Sequence, residues 1–316
     1  MKTSIIIPNF NGLKHLRNCL DSLDHSSLKP DEIIVVDNGS QDDSLNWVRL
    51  NYPNIICIAN KENKGFSFAV NQGIMMAKSE FVILLNNDII VSTDWLKNLI
   101  SPFSTDPLIF SCSSKMLQMN NKQIIDDAGD YYSILGWSIK RGDGLSTKYY
   151  CSDAYIFSSC AGAAAYRRND IIKIGLFDES FFAYLEDLDL SFRANWYGYK
   201  HFYSSNAIVY HHGSSTSGSK HNAFKVELAA RNNVFLIKKN FPFIMLLLNS
   251  LFICMGHFIK LVYFYSKNLH PFYLKGLYEG IKTKKKFDYS NFSWRTLLKI
   301  QFSLITSLRF LLRKLY

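Results

Sequence analysis

Short apolar runs alternate with helical patterns in the first part of this 316-residue chain, and this alternation limits the possible folds most. The apolar runs are residues 4–7, 32–36, 55–58 and 81–85. Between the first two, leucines recur at steps of three and four, as on one face of a helix: Leu13, Leu16, Leu20 and Leu23. Strands that alternate with helices build a parallel sheet, so the sequence predicts an α/β fold.

Polar residues follow each of these predicted strands. They are Asn9 and Asn11, Asp37 and Asn38, Asn60 and Asn63, and Asn86 and Asp88. In an open α/β sheet the carboxyl ends of the strands form the ligand-binding edge. No dinucleotide-type glycine pattern or Walker A loop follows the first strand, which disfavours nicotinamide and flavin enzymes. A bound diphosphate would then need another positive charge, and Asp88 could hold Mg²⁺ or Mn²⁺ for it.

Carboxylates and small residues mark the second part of the chain. Residues 160–165 are all small, so they either line a pocket or pack tightly. Glu186 and Asp187 precede apolar residues at helical spacing, and acidic residues are favoured at any helix start. Asp189 stands four residues before Arg193, which predicts an ion pair within that helix.

The charge of the chain is uneven. Residues 1–216 contain 19 Lys+Arg against 23 Asp+Glu, whereas residues 217–316 contain 17 against 3. The basic part includes the uncharged residues 241–259 and then lysines and arginines among aromatic residues. This composition is typical of helices that lie on an anionic membrane surface. A homodimer contact or a self-packing helical subdomain remains an alternative for residues 241–316.

The six cysteines form no CxxC pair, which favours free thiols in a reducing compartment. The N-terminus runs directly into an apolar strand and has no signal-peptide pattern. Both features predict a cytoplasmic protein.

Five ordered motifs resemble glycosyltransferase family 2. They are residues 4–12, residues 34–42, residues 63–73 with their Asn-Lys-Gly-Phe start, residues 84–88, and residues 175–193. Tyr166-Arg167-Arg168 and Arg231-Asn232-Asn233 are similar to the branch that contains rhamnosyltransferases of surface polysaccharide synthesis. The resemblance implies a GT-A fold over residues 1–240, with a nucleotide-sugar-binding half (1–100) and an acceptor-binding half (101–240).

The resemblance also implies roles for particular residues. Asp37 would contact the nucleotide, Asp88 and His211 would bind Mn²⁺ or Mg²⁺, and Asp187 beside Glu186 would be the catalytic base. The other residues implied in the nucleotide-sugar site are Pro8, Asn9, Asn11, Asn38, Asn63, Gly65, Asn71, Asn86 and Asn87, and those on the acceptor side are Gly162, Ala163 and Tyr184. Asn86 replaces the first Asp of the general metal-binding motif, and Thr216 stands where Ser is more usual.

These parts predict an inverting transferase that moves a sugar, with rhamnose as one option, from a nucleoside diphosphate to a saccharide or lipid-linked acceptor. The enzyme would work at the inner face of the cell membrane, in peripheral contact with it. A scaffold that binds sugar nucleotides without catalysis is the first alternative. A nucleic-acid-binding protein that uses the basic tail is the second, but the acidic strand edge would repel a phosphate backbone.

Overall fold

The structure is a computed structural model that describes residues 1–213 and 222–312. Thr216 and the basic residues Arg313 and Lys314 lie outside the described residues. The first part of the chain alternates strands with helices, as the apolar pattern predicts. Its elements are β1 (Thr3–Asn9), α1 (Leu13–Asp24), β2 (Glu32–Asp37), α2 (Ser44–Asn51), β3 (Ile56–Ala59), α3 (Phe66–Met76) and β4 (Phe81–Leu85).

Shorter strands and helices then follow, before a helical C-terminal part. The elements up to the last strand are β5 (Ile89–Val91), α4 (Trp95–Ile100), β6 (Ile109–Gln118), β7 (Ile125–Asp127), β8 (Asp130–Tyr132), β9 (Ser138–Lys140), β10 (Ala154–Ile156), β11 (Ala163–Arg167), α5 (Arg168–Lys173), α6 (Glu186–Trp196) and β12 (Lys200–His211). The last helices are α7 (Ala223–Asn240), α8 (Phe243–Tyr265), α9 (His270–Lys282), α10 (Trp294–Thr306) and α11 (Leu308–Leu312).

One mixed sheet forms the centre of the molecule. Its strand order is β10-β12-β6-β11-β4-β1-β2-β3, and in addition β5 pairs with β12 and β7 pairs with β6. The strands β4, β1, β2 and β3 are parallel, while β11 runs antiparallel between β4 and β6. The α/β class and the mixed central sheet are therefore confirmed.

Strand β1 is buried on both faces, which explains its unbroken apolar sequence. Ile5 and Ile7 belong to one core cluster with Leu16 of α1. Ile6 points to the opposite face and belongs to a second cluster with Val70 of α3. Burial of each such side chain contributes about 1.5–3 kcal/mol. This core fixes the carboxyl ends of the strands, where the polar residues lie.

A buried carboxylate joins α6 to α7. The Asp189 side chain has no exposed surface, and it accepts hydrogen bonds from Arg193 Nε, Lys239 Nζ and Asn240 Nδ2, each at 2.9 Å. The predicted ion pair with Arg193 is confirmed. Burial alone would raise the pKa of Asp189, but the two cations outweigh burial and lower it. The network holds α6 in a fixed position against α7.

The helices after residue 240 pack on the sheet domain. Met245 of α8 and Leu304 of α10 have no exposed surface, and they share a core cluster with Tyr132 and Phe192. Gly256 of α8 contacts the β8–β9 turn so closely that an added Cβ would lie 2.0 Å from the Leu135 carbonyl oxygen. The C-terminal helices are thus attached to the domain along much of their length.

Helix α8 nevertheless exposes many apolar side chains. It has 23 residues with a mean hydropathy of 1.8 over its most apolar window, and only 17% of that window is buried. Among its exposed residues, Leu251 is 75% exposed and Phe258 is 65% exposed. Length and composition alone would allow α8 to cross a membrane.

We expect Asp189→Asn to destabilise the fold by about 2–3 kcal/mol, because it removes a buried charge that neutralises two cations. Urea unfolding followed by circular dichroism measures the change. The matched control is Glu227→Gln, which breaks the exposed pair with Lys275 and should cost less than about 1 kcal/mol. Equal losses in the two variants would contradict the role assigned to Asp189.

Candidate active site

A cleft of about 1290 Å³ opens at the carboxyl ends of β1, β2 and β4. It brings together most of the residues singled out in the sequence. Those in its wall are Pro8, Asn9, Asn38, Asn63, Gly65, Asn86, Asn87, Asp88, Gly162, Tyr184, Glu186, Asp187 and His211. Strand ends from the first half and loops from the second half therefore face one common space.

Asparagine amides order the edge of the cleft at the ends of β1 and β2. Asn9 Nδ2 donates to Asp37 Oδ1 at 3.0 Å, and Asn9 Oδ1 accepts from Asn87 Nδ2 at 2.7 Å. On the next strand, Asn38 Nδ2 donates to Asn63 Oδ1 at 2.9 Å and to the Gly65 carbonyl oxygen at 3.0 Å. These bonds connect neighbouring strand ends and fix the edge before any ligand binds.

Four of the expected site residues lie outside the cleft wall. Asp37 is 3% exposed and accepts hydrogen bonds from Asn9 and from the backbone N–H of Ser40. Asn11 lines a separate shallow pocket. Asn71 is bonded to the backbone of Phe177, and Ala163 is buried in β11. Asp37, Asn71 and Ala163 thus support the wall rather than form it, whereas Asn11 lies at a different place on the surface.

The loop before α6 is held tightly against the start of α3. Gly65 has a φ of +89°, and an added Cβ would lie 2.5 Å from the Phe182 carbonyl oxygen. That oxygen also accepts a hydrogen bond from the Phe66 N–H at 2.6 Å. Phe182, Tyr184 and Leu185 all have positive φ angles, which L-residues rarely adopt. The sequence pattern does not reveal this strained loop.

Asn232 supplies the bonds that maintain the strained loop. Its Nδ2 atom donates to the carbonyl oxygens of Phe181, Ala183 and Tyr184, at 2.8–2.9 Å. The side chain is fully buried on α7. The Arg231-Asn232-Asn233 motif thus has a structural task, which is to present the residues before Glu186 to the cleft.

Asp88 and His211 form the candidate metal site. His211 Nε2 lies 3.5 Å from Asp88 Oδ1, and His211 Nδ1 is bonded to Asp126 Oδ2 at 2.7 Å. Burial alone would lower the pKa of His211, but the bonds to Asp126 and Asp88 outweigh it and raise the pKa to about 9. A second carboxylate that orients a histidine is common around metal ions. The donor set therefore fits a divalent cation, which would displace the proton on Nε2.

A second acidic cluster lies between residues 127 and 160. One ligand atom from each of Asp127, Asp130 and Cys160 lies within 4.8 Å of the others, and Asp130 and Cys160 also face the cleft. Burial raises the pKa of Asp127 to about 6 and that of Asp130 well above its usual value. Lys140 lies among these carboxylates, and they raise its pKa against the effect of burial. Sequence reasoning missed this cluster, although Asp126, Asp127 and Asp130 stand within five residues.

Glu186 and Asp187 begin α6 and differ in their hydrogen bonding. Asp187 Oδ1 accepts from the Leu188 N–H at 2.8 Å, and Oδ2 accepts from the Ala161 N–H at 3.3 Å. Glu186 Oε2 is buried and has no hydrogen-bond partner among the described residues. Burial and the neighbouring Asp187 charge raise the pKa of Glu186 to about 8. Burial also raises the pKa of Asp187, but the N–H groups of Leu188 and Ala161 oppose this effect. We infer that Asp187 carries the negative charge and that Glu186 keeps its proton.

Comparison with known proteins identifies this arrangement. A family model described as Glycosyl transferase family 2 matches residues 4–175. The chain belongs to glycosyltransferase family 2. The solved structure of GalNAc-T7 with UDP, GalNAc and Mn²⁺ has a TM-score of 0.61 to this chain, with 17% sequence identity. That match covers 75% of this chain and 47% of GalNAc-T7, and it supports the predicted GT-A fold.

Two named relatives are rhamnosyltransferases. The O-antigen chain rhamnosyltransferase RfbN of Salmonella typhimurium is 28% identical over 215 residues, which are 67% of this chain and 66% of the relative. The N-acetylglucosaminyl-diphospho-decaprenol L-rhamnosyltransferase of Mycobacterium tuberculosis is 23% identical over 239 residues, or 68% and 77% of the two chains. The chain thus spans just under two thirds of the Salmonella relative. Both names support the rhamnosyltransferase-like branch that the motifs indicate.

The family 2 cleft also has a wall that lies outside the matched region. Asn233 and Lys225 of α7, Lys260 and Phe264 of α8, and Tyr273 of α9 line it. Sequence reasoning placed residues after 240 in a separate tail, whereas α8 and α9 contribute directly to the cleft.

The raised pKa of Glu186 makes stability depend on pH. An unfolded glutamate releases its proton near pH 4.5, but folded Glu186 keeps it until about pH 8. The folded state therefore loses stability as pH rises through this range. The free energy of unfolding of Glu186→Gln, relative to that of the wild type, should rise by more than about 1.4 kcal/mol between pH 5 and pH 8.5. A shift of one pKa unit corresponds to that free energy.

Thermal unfolding across this pH range measures the difference. The control is Glu80→Gln, because the Glu80 side chain is 59% exposed. A constant difference between Glu186→Gln and the wild type at all pH values would show that Glu186 is ionised in the folded protein.

Proposed function

We propose that this protein is an inverting glycosyltransferase that uses a nucleoside-diphosphate sugar. One observation carries the proposal: a single cleft contains both the Asp88–His211 pair and the half-buried Asp187 carboxylate. The Asp88–His211 pair suits the charged leaving group, and the Asp187 carboxylate suits the acceptor hydroxyl. Family membership and the GT-A fold support the same reaction.

The donor would bind along the asparagine-rich edge. Asn9, Asn38 and Asn63 present amide groups beside the strand ends, where an open α/β sheet binds nucleotides. Asp37 would act by orienting Asn9. A Mn²⁺ or Mg²⁺ ion held by Asp88 and His211 would neutralise the charge on the departing diphosphate. The solved structure of GalNAc-T7, which shares the fold, contains Mn²⁺ and UDP.

Asp187 would act as the general base. The acceptor oxygen attacks the anomeric carbon, the bond from that carbon to the diphosphate oxygen breaks, and the hydroxyl proton moves to Asp187. One displacement from the opposite face inverts the anomeric configuration. The N–H groups of Leu188 and Ala161 favour the charged form of the carboxylate against the effect of burial, and the charged form is the one that accepts a proton.

We propose rhamnose as the transferred sugar and a saccharide or lipid-linked sugar as the acceptor, in the synthesis of a surface polysaccharide. The names of the Salmonella and Mycobacterium relatives support this choice. The second relative acts, by its name, on a sugar joined through diphosphate to a polyprenol. An acceptor of that kind resides in a membrane.

We further propose that the C-terminal helices lie on the cytoplasmic face of an anionic membrane. Exposed apolar residues occur on α8 and α10, with Phe258 at 65% and Phe302 at 70% exposure. Residues 217–316 carry 17 Lys+Arg against 3 Asp+Glu, and each basic residue near an anionic surface contributes about 1 kcal/mol. Because α8 also packs on the domain through Met245 and Gly256, peripheral contact is favoured over a span.

Removal of the metal should stop the reaction. We expect EDTA to abolish turnover, and excess Mn²⁺ or Mg²⁺ to restore it. Without the cation, Asp88 and His211 cannot neutralise the negative charge of the departing diphosphate. Asp88→Ala should show no recovery at the same metal concentration. Turnover is measured as release of nucleoside diphosphate, and full activity in the chelator would contradict the assigned metal site.

Loss of the proposed base should affect chemistry and not donor binding. We expect Asp187→Asn to lower kcat by at least about 100-fold, the usual contribution of acid–base catalysis. The donor Kd, measured by calorimetry with Mn²⁺, should stay the same. If Glu186→Gln is the inactive variant and Asp187→Asn is active, the two roles are reversed.

Membrane binding should depend on the exposed C-terminal residues. We expect the double variant Phe258→Glu, Phe302→Glu to lose co-sedimentation with vesicles of phosphatidylglycerol, and wild-type binding to weaken with salt. Leu50→Glu is the matched control, since Leu50 is 82% exposed in the nucleotide half. Equal sedimentation of the double variant and the wild type would exclude these helices as the contact.

A further inference from the structure

The C-terminal wall of the cleft is rich in hydrogen-bond donors. Lys225 and Asn233 of α7, Lys260 of α8 and Tyr273 of α9 face the space there. No Asp or Glu from α7, α8 or α9 is among the described residues that line the cleft. All four acidic residues that line the described part of the cleft lie outside these helices, so this wall differs in chemistry from the candidate metal site and from Asp187.

Asn233 presents a buried donor without a partner. Its Oδ1 atom accepts a hydrogen bond from the Tyr132 hydroxyl at 2.7 Å, which fixes the orientation of the amide. Its Nδ2 atom is buried and has no partner among the described residues, although the side chain lines the cleft. Leaving such a group unbonded costs about 1–3 kcal/mol. A ligand that accepts a hydrogen bond would remove this cost.

Lys260 presents an ammonium group on the same wall. Within the described part of the chain it has no carboxylate within ion-pair distance, and its Nζ atom lies 5.7 Å from the centre of the Trp137 ring. Burial lowers the pKa of Lys260 to about 8, and Lys260 and burial together lower the pKa of His257 to about 4. An unpaired, partly buried cation is costly unless an anion binds beside it.

The two donors lie against the same turn. The Nδ2 atom of Asn233 is 3.8 Å from the position that a Cβ on Gly136 would take, and Lys260 packs over the adjacent Trp137. The Trp137 indole N–H donates to the Gly256 carbonyl oxygen at 3.1 Å, which holds this turn on α8. The turn therefore fixes both groups at one end of the cleft.

Helix α8 separates this wall from the exposed apolar surface. Lys260 and Phe264 face the cleft from one side of the helix. Phe258, Val262 and Tyr265 on its other side are 65%, 55% and 68% exposed. A molecule with an anionic group next to an apolar chain matches both surfaces of the helix.

We propose that Asn233 and Lys260 bind the phosphate that joins the acceptor sugar to its lipid. This inference rests on the proposed transferase function and names the part of the cleft that selects a lipid-linked acceptor. Phosphate oxygens accept hydrogen bonds from an amide N–H and from an ammonium group, and such charge-assisted bonds are the stronger ones. The lipid chain would leave the cleft along α8 toward the membrane.

Binding of farnesyl diphosphate to the full chain tests the site. Calorimetry in EDTA removes metal-mediated binding of the diphosphate at Asp88. We expect Lys260→Gln and Asn233→Asp to weaken binding by about tenfold or more, the equivalent of one bond to a charged group. Lys260→Arg should retain most of the affinity. Lys267→Gln, an exposed lysine on the same segment, is the matched control and should bind as the wild type does.

Two further probes identify the source of the phosphate. Farnesol and inorganic diphosphate should both bind at least about tenfold more weakly than farnesyl diphosphate, since each lacks one of the two contacts. Unchanged binding by Lys260→Gln would overturn the proposal, as would equal binding of farnesol. Inorganic diphosphate that binds as tightly as the lipid would show a site for a free anion.

Failure of the transferase function is distinguishable from failure of this site. Donor binding with Mn²⁺ is measured separately in the wild type and in Lys260→Gln, and we expect it to be equal in both. If the wild type binds no nucleotide sugar while Lys260 still controls farnesyl diphosphate binding, the phosphate site stands and the transferase proposal falls.

Discussion

The arrangement of the cleft depends on one buried carboxylate, Asp189. Without solvent, its charge is stable only because Arg193, Lys239 and Asn240 donate to it. These bonds hold α6 against α7 at Asp189, two residues after Asp187. The helix that carries the proposed base is therefore fixed by a charge network that does not itself face the cleft. Asn232 on α7 then holds the strained loop that leads into α6.

The same packing unites the two halves of the domain. The contact between Gly65 and Phe182 brings the asparagine-rich edge of the cleft against the loop before Glu186. Once that contact is made, Asp88, His211 and Asp187 face one space. Burial then favours a proton on Glu186 rather than on Asp187. Backbone N–H groups donate to Asp187, whereas Glu186 Oε2 has no hydrogen-bond donor among the described residues. The chemistry of the site thus follows from which carboxylates receive hydrogen bonds.

Much of this fold is predictable from the sequence, because buried strands and amphipathic helices have regular patterns. The alternation of residues 4–85 predicts the parallel strands, and the polar strand ends predict the position of the cleft. Local patterns carry no information about long-range contacts. Asp130 and Lys140 lie in an irregular segment with no periodicity, and only the folded chain brings them near Cys160. The placement of Lys260 in the cleft wall likewise depends on how α8 packs, which its own composition does not reveal.

Release of nucleoside diphosphate from a panel of nucleotide sugars tests the central claim most directly. The panel contains dTDP-rhamnose, UDP-hexoses and GDP-mannose, each incubated with the full chain and Mn²⁺ and followed by phosphorus NMR. We predict slow release of nucleoside diphosphate from one donor class, dependent on Mn²⁺ and absent in Asp88→Ala. A folded wild type that binds and cleaves none of these donors would contradict it.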